Sequence, residues 1–282
     1  MKIMITGAQG QLGRAIHHAC LSRQIECVAF ARSALDISDL AAVQAAVYGV
    51  FPNVIINCAA YNDVDRAEND FHDACLINGI GPKNLAIAAE ELKISVMHFS
   101  TDFVFDGQKT EPYHIADTPK PVNRYGQSKL LGEQLLQSVT NNFFLVRLSW
   151  VFGDGDNFVK KVLHWISGGE ELHVVDDQVS CPSYTVDLAP ALLDLLDTGA
   201  YGLYHLSNGG VCSRYDWARH IVKTAGSDVR VLPVHSNEFP VLSARPSFSA
   251  MDSWPIPLLL GRKMPTWQDA TERFLYQLSE GS

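Results

Sequence analysis

The sequence predicts an α/β protein: a doubly wound parallel sheet of the Rossmann type, with a smaller C-terminal substrate lobe. Three observations carry that prediction. Short apolar runs alternate with helical patterns through the first half of the 282 residues. A glycine-rich turn, Gly7-Ala8-Gln9-Gly10-Gln11-Leu12-Gly13, directly follows the first of those runs. After Trp150 the alternation gives way to a stretch richer in Pro, Ser and turn signals. Strands buried on both faces read as continuous apolar runs, and parallel neighbours need right-handed helical crossovers.

The elements follow in order. Ile3 to Thr6 is the first expected strand, with a helix from Leu12 to Arg23 behind the glycines. Cys27 to Phe30 is the second strand, Leu40 to Val50 a helix, and Val54 to Cys58 the third strand. Ala74 to Leu92 reads as one long helix that Pro82 bends or divides. Ser95 to Ser100 and Phe143 to Leu148 are further strands, separated by a helix from Tyr125 to Ser138. Beyond Trp150, Asn157 to Ile166 and Thr185 to Leu196 read as helices, and Leu203 to Leu206 as one more sheet strand. The remainder is expected to be irregular, above all Pro233 to Pro265. The division is a dinucleotide-binding domain over 1–153 and, over 154–282, mainly a substrate-binding lobe with segments returning to the main sheet.

Composition narrows the function. A hydrophobic content of 47% supports a large core and excludes a disordered chain. A net charge of -9 disfavours non-specific binding to nucleic acid or an anionic membrane. It leaves room for an anionic ligand held by local arginines and backbone N–H groups. The six cysteines include no C-x-x-C pair and read as free thiols in a reducing compartment. The ten histidines show no H-E-x-x-H spacing, so no metal ligand is assigned. No apolar run reaches membrane-spanning length and no signal peptide is visible, so a cytoplasmic protein is expected.

Tyr125 and Lys129 lie four apart, on one face of the expected helix. A lysine ammonium beside a phenol favours the phenolate, which lowers the tyrosine from its usual pKa of about 10 and makes it a general acid. Thr101 is placed to hydrogen-bond a substrate carbonyl or to accept from Tyr125, and Asp102 to bind a sugar hydroxyl. Gly7, Gly10 and Gly13 suit a tight turn, close approach to a pyrophosphate and close helix packing. Phe30 ends the second strand without the carboxylate that would bind the ribose hydroxyls of NAD, and Arg32 suits the 2′-phosphate of NADP. Asp36 and Ile37 lie where an adenine edge is read, although Asp36 equally suits a helix start ahead of Leu40. Ala59, Ala60 and Tyr61 follow the third strand, where small residues let a cofactor lie against the backbone.

With these residues the chain resembles the extended short-chain dehydrogenase/reductases, and within them the dTDP-4-dehydrorhamnose reductase family. The matching segments are GAQGQLG from Gly7, LDISD from Leu35, VIINCAAYNDVDRAE from Val54, STDFVFDG from Ser100, PVNRYGQSK from Pro121, RLSWVFG from Arg147, NFV from Asn157, DDQVSCPSYTVDLA from Asp176 and ARPSFS from Ala244. Phe103 stands where that family commonly has Tyr, and Ser183 where it commonly has Thr. The resemblance implies reduction of the 4-keto group of a dTDP-linked 6-deoxyhexulose to dTDP-L-rhamnose, using NADPH or NADH. It makes Tyr125 the proton donor and Lys129 its pKa partner and a ligand of the nicotinamide ribose. Thr101 and Asp102 then meet the substrate, and Trp150 packs on its sugar or base. Gly10, Gln11 and Leu12 line the pyrophosphate. Ala59, Ala60 and Tyr61 line the middle of the cofactor, with Phe99 a further contact. Arg245 is inferred to anchor the nucleotide diphosphate through its bidentate fork. The partner implied is a nucleotide sugar. Magnesium is left open, as is a homodimer. Two alternatives stand beside this reading: a non-catalytic NADP-binding regulatory subunit resembling the beta subunit of methionine adenosyltransferase, and a nucleotide-sugar epimerase or dehydratase.

Overall fold

In the computed structural model, which describes residues 1–239 and 241–280, six parallel strands form one sheet. Across the sheet their order is Gly202–His205, Phe143–Leu148, Ser95–Thr101, Val54–Asn57, Lys2–Thr6 and Glu26–Phe30. Every pairing is parallel. The chain runs outward from Lys2–Thr6 to Glu26–Phe30, then crosses to Val54–Asn57 on the other side. That reversal opens a crevice beyond Thr6 and Asn57, at the carboxyl ends of the two strands, where open α/β sheets bind ligands.

Alternation along each strand divides the core into two layers. Ile3, Ile5, Ile56, Met97 and Val146 face helices Gln11–Ser22 and Thr185–Asp197, meeting Ile16, Leu188 and Leu192. Met4, Ile55, Val96 and Leu145 face the opposite way, onto helices Leu40–Val50, Gly81–Leu92 and Arg124–Val139, meeting Val43, Val47, Leu85 and Leu136. A third cluster, with Phe152, Val162, Trp217, Trp267 and Phe274, fills the C-terminal half. It lies among helices Phe158–Ser167, Arg214–Thr224 and Trp267–Glu280 and a parallel strand pair, Leu172–Val175 with Val231–Val234.

Two expectations change. The single helix expected from Ala74 to Leu92 is three pieces: an α-helical turn at Phe71–Cys75, a π-helical stretch at Leu76–Ile80, and a helix at Gly81–Leu92. Pro82 sits in the first turn of the last piece, where its missing N–H costs nothing. The C-terminal stretch is also less irregular than expected. Arg214–Thr224 begins in a capping box, with Asp216 N–H donating to Ser213 Oγ (2.9 Å) and Ser213 N–H to Asp216 Oδ2 (3.2 Å). Trp267–Glu280 begins after Thr266, whose Oγ1 accepts from Asp269 N–H at 3.3 Å. Pro240, inside the stretch expected to be irregular, and 281–282, at the end of the expected lobe, lie outside the described residues. Among the described residues no helix is long and apolar enough to cross a membrane.

Candidate active site

The crevice is built first by what is missing. A Cβ on Gly7, which has φ +65°, would come within 2.4 Å of the Ala59 nitrogen, and one on Gly13 within 2.4 Å of the Gly7 carbonyl oxygen. Only glycine lets the first turn press against the segment after Val54–Asn57 and lets helix Gln11–Ser22 start so close to the turn. That helix has Gly10 at its N-cap, no side-chain cap and no acid in its first turn. Its first N–H groups and its dipole therefore favour an anion at this end.

Two adjoining cavities run from this turn. One, of about 510 Å³, is lined by Gly7, Gly10, Arg32, Asp36, Ile37, Ala59, Ala60 and Tyr61. The other, of about 360 Å³, is lined by Gln11, Leu12, Gly13, Phe99, Thr101, Asp102, Tyr125, Lys129 and Trp150. Gly10, Ala59 and Ala60 border both, so the two form one groove. Apart from Arg245, each residue singled out in the sequence lines it. Asp36 accepts from Ser38 N–H (2.9 Å) and Ser38 Oγ–H (2.7 Å), and those bonds hold its carboxyl below the usual range. A larger hollow of about 710 Å³ lies beside His17, His18 and Pro190, outside this groove.

In the 360 Å³ cavity, Tyr125 comes from the first turn of helix Arg124–Val139 and Thr101 from the end of strand Ser95–Thr101. The tyrosine ring meets Phe103 edge-on, with centroids 5.9 Å apart. The Thr101 side chain lines the same cavity and acts on the phenol. The expectation that Lys129 lowers the tyrosine pKa is corrected here. Burial raises it well above the ordinary phenol value, outweighing the opposing influence of the Thr101 side chain. The Lys129 ammonium instead donates to the Phe99 carbonyl at 2.6 Å. Burial brings Lys129 down to about 8, against the opposing pull of Glu133 one turn further along the helix.

Asp102 is buried beside them. Its Oδ1 accepts from Thr101 Oγ–H (3.1 Å), and its Oδ2 from Ser180 Oγ–H (3.2 Å) and Ser249 Oγ–H. Three of roughly four acceptor positions on a carboxylate are thus in use. The two serines lie in the DDQVSCPSYTVDLA and ARPSFS segments, but sequence alone did not single them out as partners of Asp102. Burial outweighs the three hydrogen bonds and lifts Asp102 to about 6. The folded protein therefore binds this proton more readily than the unfolded chain does, so ionisation costs stability as pH rises from about 4 through about 6. Asp102→Asn removes that loss. Urea unfolding is expected to show the variant gaining on the parent between about pH 4 and about pH 7, and a constant difference would rule out the raised pKa.

Two arginines depart from sequence reasoning. Arg245 does not line the groove. Its fork is held by Asp65, with Nη1 to Oδ1 at 3.1 Å and Nη2 to Oδ2 at 2.8 Å, and Nη1 also donates to the Ser243 carbonyl. Arg214, which the sequence did not single out, lies with its guanidinium carbon 3.6 Å from the centroid of the Trp150 ring, at the wall of the 360 Å³ cavity. Trp150 has φ +42°, a strained backbone for a bulky residue, and its carbonyl accepts from Ser183 N–H at 3.2 Å. Among the described residues no three His, Cys, Asp or Glu side chains cluster to hold a metal ion.

The arrangement can hold a diphosphate-containing cofactor along the glycine turn and deliver a proton at Tyr125. Comparison with known proteins points the same way. Residues 1–280 match the family described as the RmlD substrate binding domain. The chain is 35% identical over 279 residues to the spore coat polysaccharide biosynthesis protein SpsK of Bacillus subtilis, covering 99% of this chain and 98% of that protein. It is 39% identical over 257 residues to the dTDP-4-dehydrorhamnose reductase of Mycolicibacterium smegmatis, covering 89% and 78%. A crystal structure of dTDP-4-dehydrorhamnose reductase from Bacillus anthracis, in complex with NADP, superposes with a TM-score of 0.94 at 38% identity, covering 98% of this chain and 99% of that one.

Proposed function

This chain belongs to the RmlD substrate binding domain family, and on that premise we propose that it reduces the 4-keto group of dTDP-4-dehydro-L-rhamnose, with NADPH, to give dTDP-L-rhamnose. The observation that carries the reading is the convergence of Thr101, Tyr125 and Lys129 in a cavity that also borders the glycine turn. Residues 1–153 hold the cofactor and the later residues mainly the nucleotide sugar, in a cytoplasmic enzyme whose six cysteines are free thiols.

The residues fit a nicotinamide dinucleotide. Gly7 and Gly13 leave the space that a Cβ would fill, and the uncapped helix N-terminus suits a pyrophosphate. A reduced nicotinamide bound in the groove supplies the hydride for the sugar carbonyl carbon. Tyr125 supplies the proton to the oxygen as negative charge develops there. Its raised pKa keeps it a phenol through the neutral range, so it acts as a donor. Thr101 orients the carbonyl oxygen. Lys129, charged below about 8, stays on the Phe99 carbonyl in the same cavity, where it is placed to bind the nicotinamide ribose. Holding the reacting groups together supplies much of the acceleration.

The test is nicotinamide absorbance with purified protein and a panel of dTDP-linked 4-keto sugars. Oxidation of NADPH with dTDP-4-dehydrorhamnose is expected. A protein that binds NADPH yet oxidises it with no keto-sugar belongs instead to the non-catalytic reading. Cofactor choice has its own test at Arg32, which lines the groove where no acid follows the second strand. Arg32→Ala is expected to weaken NADPH by about tenfold, the scale of one charged hydrogen bond, and NADH far less. Equal weakening in fluorescence titrations of both cofactors would mean that Arg32 does not read the 2′-phosphate.

A further inference from the structure

Arg214 is a cation waiting for an anion. Its backbone is fixed at the start of helix Arg214–Thr224, where its N–H donates to the Gln178 carbonyl at 3.1 Å. Its guanidinium is held by aromatic rings, 3.6 Å from the Trp150 centroid, 4.8 Å from that of Phe158 and 5.7 Å from that of Trp217. Stacking satisfies the flat face of a guanidinium and leaves its five edge N–H donors free. Among the described residues no hydrogen bond or ion pair takes them. The Arg214 nitrogens are not among the buried atoms that lack a partner, so they face the cavities and are open to a ligand that brings acceptors.

Its surroundings say what kind. Arg214, Trp150 and Val151 form the wall shared by the 360 Å³ cavity of Tyr125 and a neighbouring hollow of about 270 Å³. Lys161 lines that hollow, with no ion pair of its own among the described residues. Arg245 is near enough to push electrostatically on Arg214. Three acids oppose these cations, one of them Asp65, which holds the fork of Arg245. Asp102 acts on Arg214 at range, but its oxygens already accept from Thr101, Ser180 and Ser249. Asp156 lines the smaller hollow.

We propose that Arg214 is the receptor for the diphosphate of the nucleotide sugar, gripping phosphate oxygens with its free edge while Lys161 lies beside them. The proposal rests on the nucleotide-sugar reading of the site and deepens it. The sugar end then extends toward Tyr125 in one cavity and the nucleoside end lies along the other, with the two negative charges at the wall between them. Arg245, the arginine expected from sequence, adds positive potential while its own fork stays on Asp65.

Isothermal titration of thymidine diphosphate and, separately, of NADPH into the parent protein, Arg214→Met and Arg214→Lys tests this without any turnover. Met keeps an apolar stem over Trp150, and Lys keeps the charge without the fork. Arg214→Met is expected to weaken thymidine diphosphate by about tenfold to a hundredfold, with Arg214→Lys between it and the parent and NADPH unchanged in both. Thymidine diphosphate affinity within about threefold of the parent in Arg214→Met would overturn the proposal. Parallel losses for thymidine diphosphate and NADPH would overturn it too, since Arg214 would then be acting on the fold. A parent protein that binds no thymidine diphosphate would sink the nucleotide-sugar reading and this proposal together. Parental binding that is indifferent to Arg214 would sink this proposal alone.

Discussion

Tyr125→Phe is expected to bind NADPH as the parent does and to reduce the keto-sugar about a hundredfold to ten-thousandfold more slowly, the usual loss when a general acid is removed. The ring keeps its edge-on contact with Phe103, so the groove keeps its shape. Thr101 keeps its hydrogen bonds with Asp102 and the Phe103 N–H. What disappears is the proton. Because phenylalanine has no ionisable group to supply the proton, the defect is not expected to be rescued by a change of pH. Steady-state turnover together with a cofactor titration checks this, and near-parental turnover would move the proton donor elsewhere.

Arg147→Met is expected to cost about 3–5 kcal/mol of stability. Arg147 and Glu133 are each only 2% exposed, and the guanidinium grips the carboxylate with two bonds, of 2.9 Å and 2.6 Å. Removing the cation leaves Glu133 ionised and buried. His205, 3.4 Å from Arg147, is no substitute cation, because burial is the main cause that holds its pKa down, to about 3 in the parent. The double variant Glu133→Gln with Arg147→Met is expected to recover much of the loss, since no charge is then stranded. Urea unfolding of the three proteins measures it. A single variant within about 1 kcal/mol of the parent, the scale of an exposed pair, would mean that water reaches Glu133. The pair also matters to the site, because Glu133 is the acid that acts on Lys129.

The first half of the fold was legible because a parallel strand covered on both faces has to be apolar throughout. Leu40–Val50 and Phe143–Leu148 end in the structure where the residue pattern ends them. The C-terminal helices were harder to read because Arg219, His220 and Lys223 dilute the apolar spacing of Arg214–Thr224. The signal was local and present, in Ser213 with Asp216 and in Thr266 with Asp269. The site divides in the same way. The glycine turn and the Tyr125–Lys129 spacing are short-range features that the chain states outright. Partnerships across long separations are not: Asp65 holds Arg245 from 180 residues away, and Ser249 reaches Asp102 from 147. Helical spacing put Lys129 and Tyr125 on one face, but only the packed sheet decides that the ammonium meets the Phe99 carbonyl.

The returning segments have a consequence for how this chain is made. Helix Thr185–Asp197 covers one face of the sheet, and Gly202–His205 closes the edge left by Phe143–Leu148. A ribosome that has released only residues 1–153 has produced a sheet with one face covered only in part, by helix Gln11–Ser22, and one open row of backbone donors and acceptors. Such a surface recruits other strands. The nascent cofactor half therefore stays sticky until Gly202–His205 has emerged, and chaperone demand should peak across that interval. A gene split at the apparent lobe boundary yields two insoluble fragments, whereas a split placed after the closing strand gives the first fragment everything its sheet needs.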